Sequence, residues 1–367
     1  MTFSTSSFVS LFLVLGCARA KPVARDAGQR PLLVLPVANL SGSSAPLAEV
    51  HASVLAALQA RGIAVVDRAA ADAFLLRHRL RYTGDLDRDL ARAAGEELGV
   101  GGIVITVLAG YSATFPPHEA ISMRLVAARE SAELLWIDQA ARAGDDAPGL
   151  FDLGVVREVN SLQAELAERL AGSLAQVLSG QRPRAAGCPG NLRFGPEERY
   201  RPAELDGHTV AVLPFVNETQ RRNAGELMAL EVTAQLEASG RMRAVEPGVL
   251  RAQLVEYRLP MEGGVSLDAA RVLLELSGAD LIVAGTVREL EDPAGGSAPR
   301  VEFSMQWLDR RDQAVVWQST SFRAGDDQVF FFGQGAVSTA AELACRMARR
   351  AVDLAVEASP ARVLRRP

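Results

Sequence analysis

Residues 210–220 read VAVLPFVNETQ, and residues 32–42 read LLVLPVANLSG. In both stretches a short apolar run ends at Leu-Pro, and an asparagine follows three residues after the proline, with an offset of 178 positions. An apolar run stopped by proline is typical of a buried strand at its end, because proline lacks the backbone N–H that would continue a sheet. The two stretches therefore predict the same first strand in two parts of one chain.

Three further matches follow in the same order. They pair residues 54–62 with 232–240 at an offset of 178, residues 99–108 with 278–287 at 179, and residues 141–156 with 322–337 at 181. In the last pair eight of sixteen positions agree, including an unbroken Arg-Ala-Gly-Asp-Asp. Since the offset grows only in small steps, as insertions in loops would produce, the sequence predicts a tandem duplication.

Each copy has the same predicted elements. A helix follows the first strand and ends at Gly62 or Gly240, where glycine supplies the left-handed turn. Apolar and polar residues then alternate through 121–125 and 301–307, and a return segment follows each, which predicts a β-hairpin. A closing helix ends each copy. The predicted fold class is α/β, with two tandem domains that are each a mixed β-sheet with packing helices.

Changes in composition set the predicted boundaries. They are a lipoprotein signal peptide over 1–17, a tether over 18–30, a first α/β repeat domain over 31–178, a linker over 179–207, a second α/β repeat domain over 208–358 and a tail over 359–367. The linker is rich in Gly, Pro and Arg, which is typical of a connection between domains.

The amino terminus predicts export and a lipid anchor. An apolar run over residues 8–15 is too short to span a bilayer and is typical of a signal peptide. Its end, Val-Leu-Gly-Cys at residues 14–17, resembles the lipoprotein box of bacteria, which implies cleavage before Cys17 and acylation of that cysteine. A plain cleaved signal peptide is the alternative. Ala18 after the cysteine favours the outer membrane, facing the periplasm, because an aspartate there favours the inner membrane in enteric bacteria.

Three stretches of the second copy together resemble a known family. VAVLPFVNET, GADLIVAGTV and RVEFSMQWLDRRDQAVVWQST, at residues 210–219, 278–287 and 300–320, are similar to the periplasmic domain of CsgG-like and TolB-N-terminal-like lipoproteins. The resemblance extends over about 210–356 and, more faintly, over 32–178. It implies a non-enzymatic recognition module that is tethered to a membrane and works through protein partners.

Charge and motif content exclude several function classes. The net charge is −5 and the pI is near 5.6, so no nucleic-acid partner is predicted. The four histidines, at positions 51, 78, 118 and 208, do not recur between the copies and lie in no metal-binding or triad pattern. We therefore predict no enzyme activity, no catalytic residue, no metal and no cofactor.

The repeated Gly-Asp-Asp is the most conspicuous acidic feature. Asp145 and Asp146 in the first copy, and Asp326 and Asp327 in the second, precede a predicted helix. A carboxylate at a helix start accepts backbone N–H groups and meets the positive end of the helix dipole. Adjacent residues of an extended segment point to opposite sides and make a poor catalytic pair. These four residues are predicted to be helix-entry caps or to form a turn there, with ion binding as the alternative.

Two cysteines and three aromatic residues complete the candidate sites. In an oxidising compartment Cys188 and Cys345 could form a disulfide, and the sequence leaves that pairing and two free thiols equally open. Phe330, Phe331 and Phe332 cannot all face one core from a short segment, so they are candidate partner contacts. Burial of all three is the alternative.

Together these features predict a membrane-anchored periplasmic lipoprotein that acts as a protein-binding or regulatory module of the bacterial envelope. Its partner would be a cell-wall synthase or a component of export or surface machinery, and the membrane is contacted through the lipid anchor. The alternative is a subunit of a CsgG-like secretion or ring assembly without its own transmembrane hairpins, in which the chain would be a homo-oligomer.

Overall fold

The computed structural model of the chain describes most residues between 22 and 357. The described ranges are 22–146, 154–181, 188, 197–200, 205–258, 267–292, 297–311, 313–327, 329 and 335–357. Within them the chain is α/β, with two mixed sheets and helices packed on both, which confirms the predicted fold class at that level.

The first half contains one sheet and five helices among the described residues. Its elements are α1 (Pro22–Ala27), β1 (Leu32–Val34), β2 (Ala38–Asn39), α2 (Leu47–Ala60), α3 (Arg68–Arg77), α4 (Arg88–Leu98), β3 (Gly102–Ser112), β4 (His118–Ala127), β5 (Leu134–Ala143) and α5 (Val159–Leu178). The sheet order is β1-β3-β4-β5. Strands β1 and β2 run parallel to β3, whereas β3, β4 and β5 form an antiparallel meander.

The second half repeats this order after one extra strand. Its elements are β6 (Glu197–Tyr200), β7 (Thr209–Val212), β8 (Val216–Asn217), α6 (Ala224–Ser239), β9 (Arg243–Ala244), α7 (Pro247–Glu256), α8 (Leu267–Ser277), β10 (Leu281–Glu291), β11 (Arg300–Asp309), β12 (Val315–Ala324) and α9 (Ala340–Glu357). The sheet order is β6-β12-β11-β10-β7-β9, and β8 pairs with β10.

Local chemistry explains why the same turn follows the first strand in both halves. The Asn39 side chain accepts from the Ser41 N–H at 3.0 Å and donates to the Ser43 carbonyl at 2.8 Å. Asn217 makes the same two bonds, to the Thr219 N–H at 3.0 Å and to the Arg221 carbonyl at 2.8 Å. An asparagine that bonds to backbone two residues ahead stabilises a turn, so each closes the first strand onto the following helix.

Two segments differ from the predicted connections. Residues 22–27, assigned to the tether, form α1, and its side chains Ala24 and Ala27 are buried against the first half. The linker contains β6, which pairs antiparallel with β12 and so extends the second sheet. Both segments have the composition of a linker, and contacts with the rest of the chain stabilise the helix and the strand that they form.

Helix α6 lies at the centre of the molecule. Its residues from Leu227 to Leu236 are all buried, whichever side of the helix they occupy. A helix buried all round belongs to the interior of a core rather than to a surface. Val107 and Ile137 of the first sheet share one hydrophobic cluster with Leu227 and Leu230 of α6, and that cluster continues into the second sheet. One core therefore joins the two halves.

Candidate functional site

Several predicted site residues lie outside the described ranges. These are the lipidation candidate Cys17 and the candidate partner contacts Phe330, Phe331 and Phe332. Val329, which directly precedes the three aromatic residues, is described and is 42% exposed.

The four aspartates cap neither α5 nor α9 where the structure describes these helices, which corrects the prediction of helix-entry caps. Helix α5 begins at Val159 and α9 at Ala340, which is thirteen residues after the second aspartate of each pair. The second aspartates instead close the end of a strand: Asp146 accepts from the Ala143 N–H at 2.7 Å, and Asp327 accepts from the Ala324 N–H at 3.0 Å. The predicted bonding to backbone N–H groups is present, but its place is a turn that leaves the hairpin.

The first of these turns also reaches the second half. Burial raises the pKa of Asp146, and its carboxylate is hydrogen-bonded to Ser338. All four aspartates are exposed as whole residues, although the Asp146 carboxyl group is partly shielded from water. In each pair the second carboxylate accepts the backbone N–H that closes the strand, so the two carboxylates differ in bonding, as expected for neighbours that point apart.

Cys188 and Cys345 form a disulfide. Their Cα atoms are 5.8 Å apart, within the range that a disulfide spans, and both side chains are buried. The bond connects the segment between the halves to helix α9.

A buried ion pair joins the two halves. Arg124 lies on β4, and Glu246 precedes α7 in the second half; each is at most 2% exposed. Arg124 Nε donates to Glu246 Oε1 at 2.9 Å, and Arg124 Nη2 donates to the Gly84 carbonyl at 2.5 Å. Because a buried charge is very costly without a partner, this pair favours one packing of the halves over others.

Further polar groups surround the ion pair. The Asp85 carboxylate lies 3.4 Å from Arg124 and 3.1 Å from Arg251, and the Arg251 guanidinium stacks over the Tyr82 ring at 4.7 Å. The Tyr82 hydroxyl donates to Glu226 at 2.6 Å. Burial and the neighbouring carboxylates raise the pKa of Tyr82, so the phenol keeps the proton that it donates.

A second polar connection crosses the junction at Asp292. Arg221 of the second half donates to the Ala109 carbonyl of β3 at 2.5 Å and to Asp292 at 3.1 Å. Asp292 Oδ1 accepts from the Ala340 N–H at 2.9 Å, and His118 Nε2 lies 3.8 Å from Asp292 Oδ2, the oxygen that Arg221 contacts. One carboxylate thus connects the first sheet, the turn before α6 and the start of α9.

A crevice lies between the first sheet and helices α6 and α9. Beside Glu231 it holds about 30 Å³ of space, enough for a water molecule, and its polar lining includes Ser122, Gln139 and Arg221. A neighbouring space of about 20 Å³ is bordered by Cys345. At this crevice polar side chains of both halves come together.

Two buried glutamates have strongly perturbed acidity. Burial raises the pKa of Glu119, on β4, to about 8, and neither of its oxygens has a hydrogen-bond partner. Burial also raises the pKa of Glu231, on α6, to about 8, although Gln235 donates a hydrogen bond to it. Both carboxyl groups are therefore largely protonated at neutral pH. Glu231 lies within 4.8 Å of both sulfurs of the disulfide, whose mutual bond keeps them from serving as thiolate ligands to a metal.

The two copies differ in charge at the positions of these residues, and the sequence alone shows that difference. In the register of the sheets, Arg124 corresponds to Gln306, and Glu119 corresponds to Val301. Glu231 corresponds to Ser53 at the offset of 178. A charged residue at a position where the other copy has a neutral one marks a site that belongs to the junction or to one half alone.

Two exposed apolar side chains occupy matching positions. Leu76, near the end of α3, is 79% exposed, and Val255, at the corresponding place on α7, is 58% exposed. Each is followed three residues later by an arginine with positive φ, Arg79 or Arg258. Among the described residues no helix is both long and apolar enough to cross a membrane.

Comparisons with known proteins give structural matches of low similarity. No family model matches the chain, and no curated protein does. Among solved structures it is similar to the PelC dodecamer from Paraburkholderia phytofirmans, at 20% identity and a TM-score of 0.31, over 42% of this chain and 92% of that one. It is similar to lipoprotein GNA1162 from Neisseria meningitidis, at 17% identity and a TM-score of 0.27, over 33% and 86%. The C-terminal domain of LpoB from Escherichia coli matches at 17% identity and a TM-score of 0.24, over 32% and 83%. At these TM-scores the likenesses assign no function.

Proposed function

We propose that this chain is a lipoprotein of the bacterial envelope, built from two tandem CsgG/TolB-N-like domains, that binds and regulates another envelope protein rather than catalysing a reaction. It would be anchored through acylated Cys17 in the outer membrane and face the periplasm. A cell-wall synthase or a component of export or surface machinery is the class of partner. The leader that ends at Cys17 and the disulfide between Cys188 and Cys345 both support an extracytoplasmic location.

The observation that carries the binding role is the pair of exposed apolar side chains at matching positions, Leu76 and Val255. An exposed apolar side chain gains free energy when a partner covers it, and recurrence at the same position of both halves sets these two apart from singly scattered apolar residues. They lie on helices α3 and α7, and the buried pair of Arg124 with Glu246 holds the two halves in one arrangement. Phe330, Phe331 and Phe332 are the further contact candidates from the sequence.

The face of the second sheet that points away from α6 is polar, and this favours a functional unit made of the two halves. Gln306 and Thr320 are exposed there, whereas of their counterparts in the first sheet Arg124 is buried against Glu246 at the start of α7 and Gln139 lines the crevice beside α6. A terminal repeat with a polar outer face is typical of an array that stops. This favours a two-half unit over a ring built by head-to-tail stacking on that face. Sedimentation at micromolar concentration tests it, with a monomer expected.

Metabolic labelling with palmitate tests the anchor. We expect label on the wild-type chain in cells and none on Cys17→Ala, with similar amounts of protein. An unlabelled wild type would refute the lipid anchor and leave the alternative of a plain cleaved signal peptide.

In-cell crosslinking of the mature chain, followed by purification, tests the binding role. We expect one reproducible envelope protein with the wild type and its loss with Leu76→Asp/Val255→Asp, while Glu96→Gln, an exposed change on α4, retains it. Recovery of the bait alone, or equal recovery from both variants, would contradict the proposal.

A further inference from the structure

The Cys188–Cys345 disulfide lies directly beside a buried carboxyl group. Glu231 and Gln235 are one turn apart on α6, and Cys345 is on α9. The Gln235 amide donates to Glu231 Oε1 at 3.0 Å and lies 3.4 Å from the Cys345 sulfur and 3.6 Å from the Cys188 sulfur. An oxygen of Glu231 and the two sulfurs all lie within 4.8 Å of one another. The carboxyl group is thus close enough to either sulfur for one water molecule to carry a proton between them.

This arrangement belongs to the second half alone. The counterparts of Glu231 and Cys345 in the first half are Ser53 and Ala164. The Ser53 hydroxyl accepts a hydrogen bond from Gln163 at 2.6 Å, so the first half has a small neutral group with a partner at this position. A buried carboxyl at the same place is more costly than a serine, and in this chain it accompanies the disulfide.

We propose that the Cys188–Cys345 bond is a site of thiol–disulfide exchange with a dithiol, and that Glu231 provides the proton for its cleavage and takes a proton back when the bond re-forms. In the first step a thiolate of the dithiol attacks one sulfur, and the S–S bond breaks. The other sulfur leaves with the electron pair and receives the proton of the Glu231 carboxyl. In the second step the remaining thiol of the dithiol, as thiolate, displaces the first sulfur. The dithiol departs as a disulfide, oxidised by two electrons, and the protein gains two thiols; solvent supplies the second proton and restores that of Glu231.

Burial is the reason why the leaving sulfur needs an acid. A thiolate in apolar surroundings is a strong base and a poor leaving group, and both sulfurs here are nearly inaccessible to water. A neutral carboxyl within reach can protonate the sulfur as the bond breaks, and general acid catalysis of this kind contributes about 10²-fold or more.

The charged groups around Glu231 favour its protonated form. Burial is the main cause of its raised pKa, and Asp138, which faces it from β5, raises that pKa further. Arg221, which shares the crevice, is engaged with Asp292, and on α9 Glu342 is paired with Arg346. Glu231 therefore holds a proton at neutral pH and can release it near pH 8.

The crevice provides the approach. Glu231 borders one of its spaces and Cys345 the adjoining one, and Ala109 and Gln139 border both. The closed crevice has room for a water molecule only, so a dithiol reaches the sulfurs from this side when the first sheet separates from α6 and α9.

Reduction kinetics with dithiothreitol test the proposal on the full mature chain, in the presence of a chelator. Free thiols are counted by alkylation and mass spectrometry between pH 6 and 9, and rates are corrected for the thiolate fraction of the reagent. We expect the corrected wild-type rate to fall as pH rises through about 8, and Glu231→Gln to be about 10²-fold slower at pH 7 with no such fall. Glu231→Asp, which keeps the acid with a shorter reach, is expected to lie between them.

Glu119→Gln is the matched control, because Glu119 is equally buried, has a similarly raised pKa and lies in the other half. We expect it to reduce at the wild-type rate. Equal rates in wild type and Glu231→Gln would overturn the proposal. So would an equal slowing in Glu119→Gln, since the effect would then reflect general stability. If Glu231→Gln does not fold, a Glu231→Asp rate identical to wild type with an unchanged pH profile would overturn it as well.

Discussion

Replacing Glu119 with valine should stabilise the protein, and by an amount that depends on pH. The Glu119 side chain is fully buried, its two oxygens have no hydrogen-bond partner, and the corresponding residue of the second half is the fully buried Val301. Valine fills a similar volume without a polar group to desolvate. The other half of the molecule therefore already contains the substitution that we propose.

The magnitude follows from the acidity of the carboxyl group. Burial raises its pKa from the ordinary 4.5 to about 8. Between these values the folded state holds a proton that the unfolded state releases. Below pH 4.5 the raised pKa of Glu119 therefore does not lower the free energy of unfolding, and as pH rises towards 8 that free energy falls. At 1.36 kcal/mol per pH interval, this lowers stability by about 3 kcal/mol between pH 5 and pH 7.5. Glu119→Val abolishes that loss, so its gain at pH 7.5 should exceed its gain at pH 5 by about 3 kcal/mol.

Urea denaturation at both pH values, followed by circular dichroism, measures the difference. At pH 5 the gain should be about 1–2 kcal/mol, because only the burial of a neutral polar group is relieved there. Glu96→Gln, an exposed change on α4, should alter the free energy of unfolding at either pH by no more than about 0.5 kcal/mol. The same gain at pH 5 and pH 7.5 would refute the assignment of the raised pKa to Glu119.

Three other changes have defined outcomes. Arg124→Met should lower the free energy of unfolding by about 3–5 kcal/mol, because it leaves Glu246 charged and buried. Arg92→Met, which removes the exposed pair with Asp89, should cost less than about 1 kcal/mol. Urea denaturation of both variants measures the losses, and equal losses would contradict the role of the buried pair. Replacing both Cys188 and Cys345 with serine should cost up to about 5 kcal/mol, since the bond closes a sequence separation of 157 residues, and an unchanged melting temperature would count against it. Asp327→Ala should cost about 1 kcal/mol and Asp326→Ala less than about 0.5 kcal/mol, because only Asp327 accepts the Ala324 N–H; the reverse order in thermal melts would return Asp326 to the role of cap.

Repeat matching predicted the elements whose pattern is strong in both copies. The hairpin strands, the helix after the first strand and the closing helix lie where alternation or helical periodicity indicated them. Helices α3 and α7 were not predicted. In α3 Phe74 is the one buried residue, so no apolar stripe marks the helix, and its signal is the Asp67 cap that accepts from the Ala69 N–H.

The junction could not be predicted from alternation in the strands. Arg124 occupies a polar position of an alternating strand, and such a position is usually exposed to solvent. Here α6 and the start of α7 cover it, and alternation does not indicate whether a second domain covers the polar face. Only the run from Leu227 to Leu236, which has no polar stripe and a single charge at Glu231, indicated that α6 is buried all round.

The position of α6 has a consequence for biosynthesis. The surface of the first sheet that contains Val107 and Ile137 is covered only when α6 packs on it, yet α6 begins about eighty residues after β5 ends. During synthesis from the amino terminus, the first half therefore has an uncovered apolar strip until the second half has been made. A chain truncated at residue 181 should need a holding chaperone to stay in solution. The second half alone would expose the matching apolar face of α6, with Leu227 and Leu230, so it should need the same help.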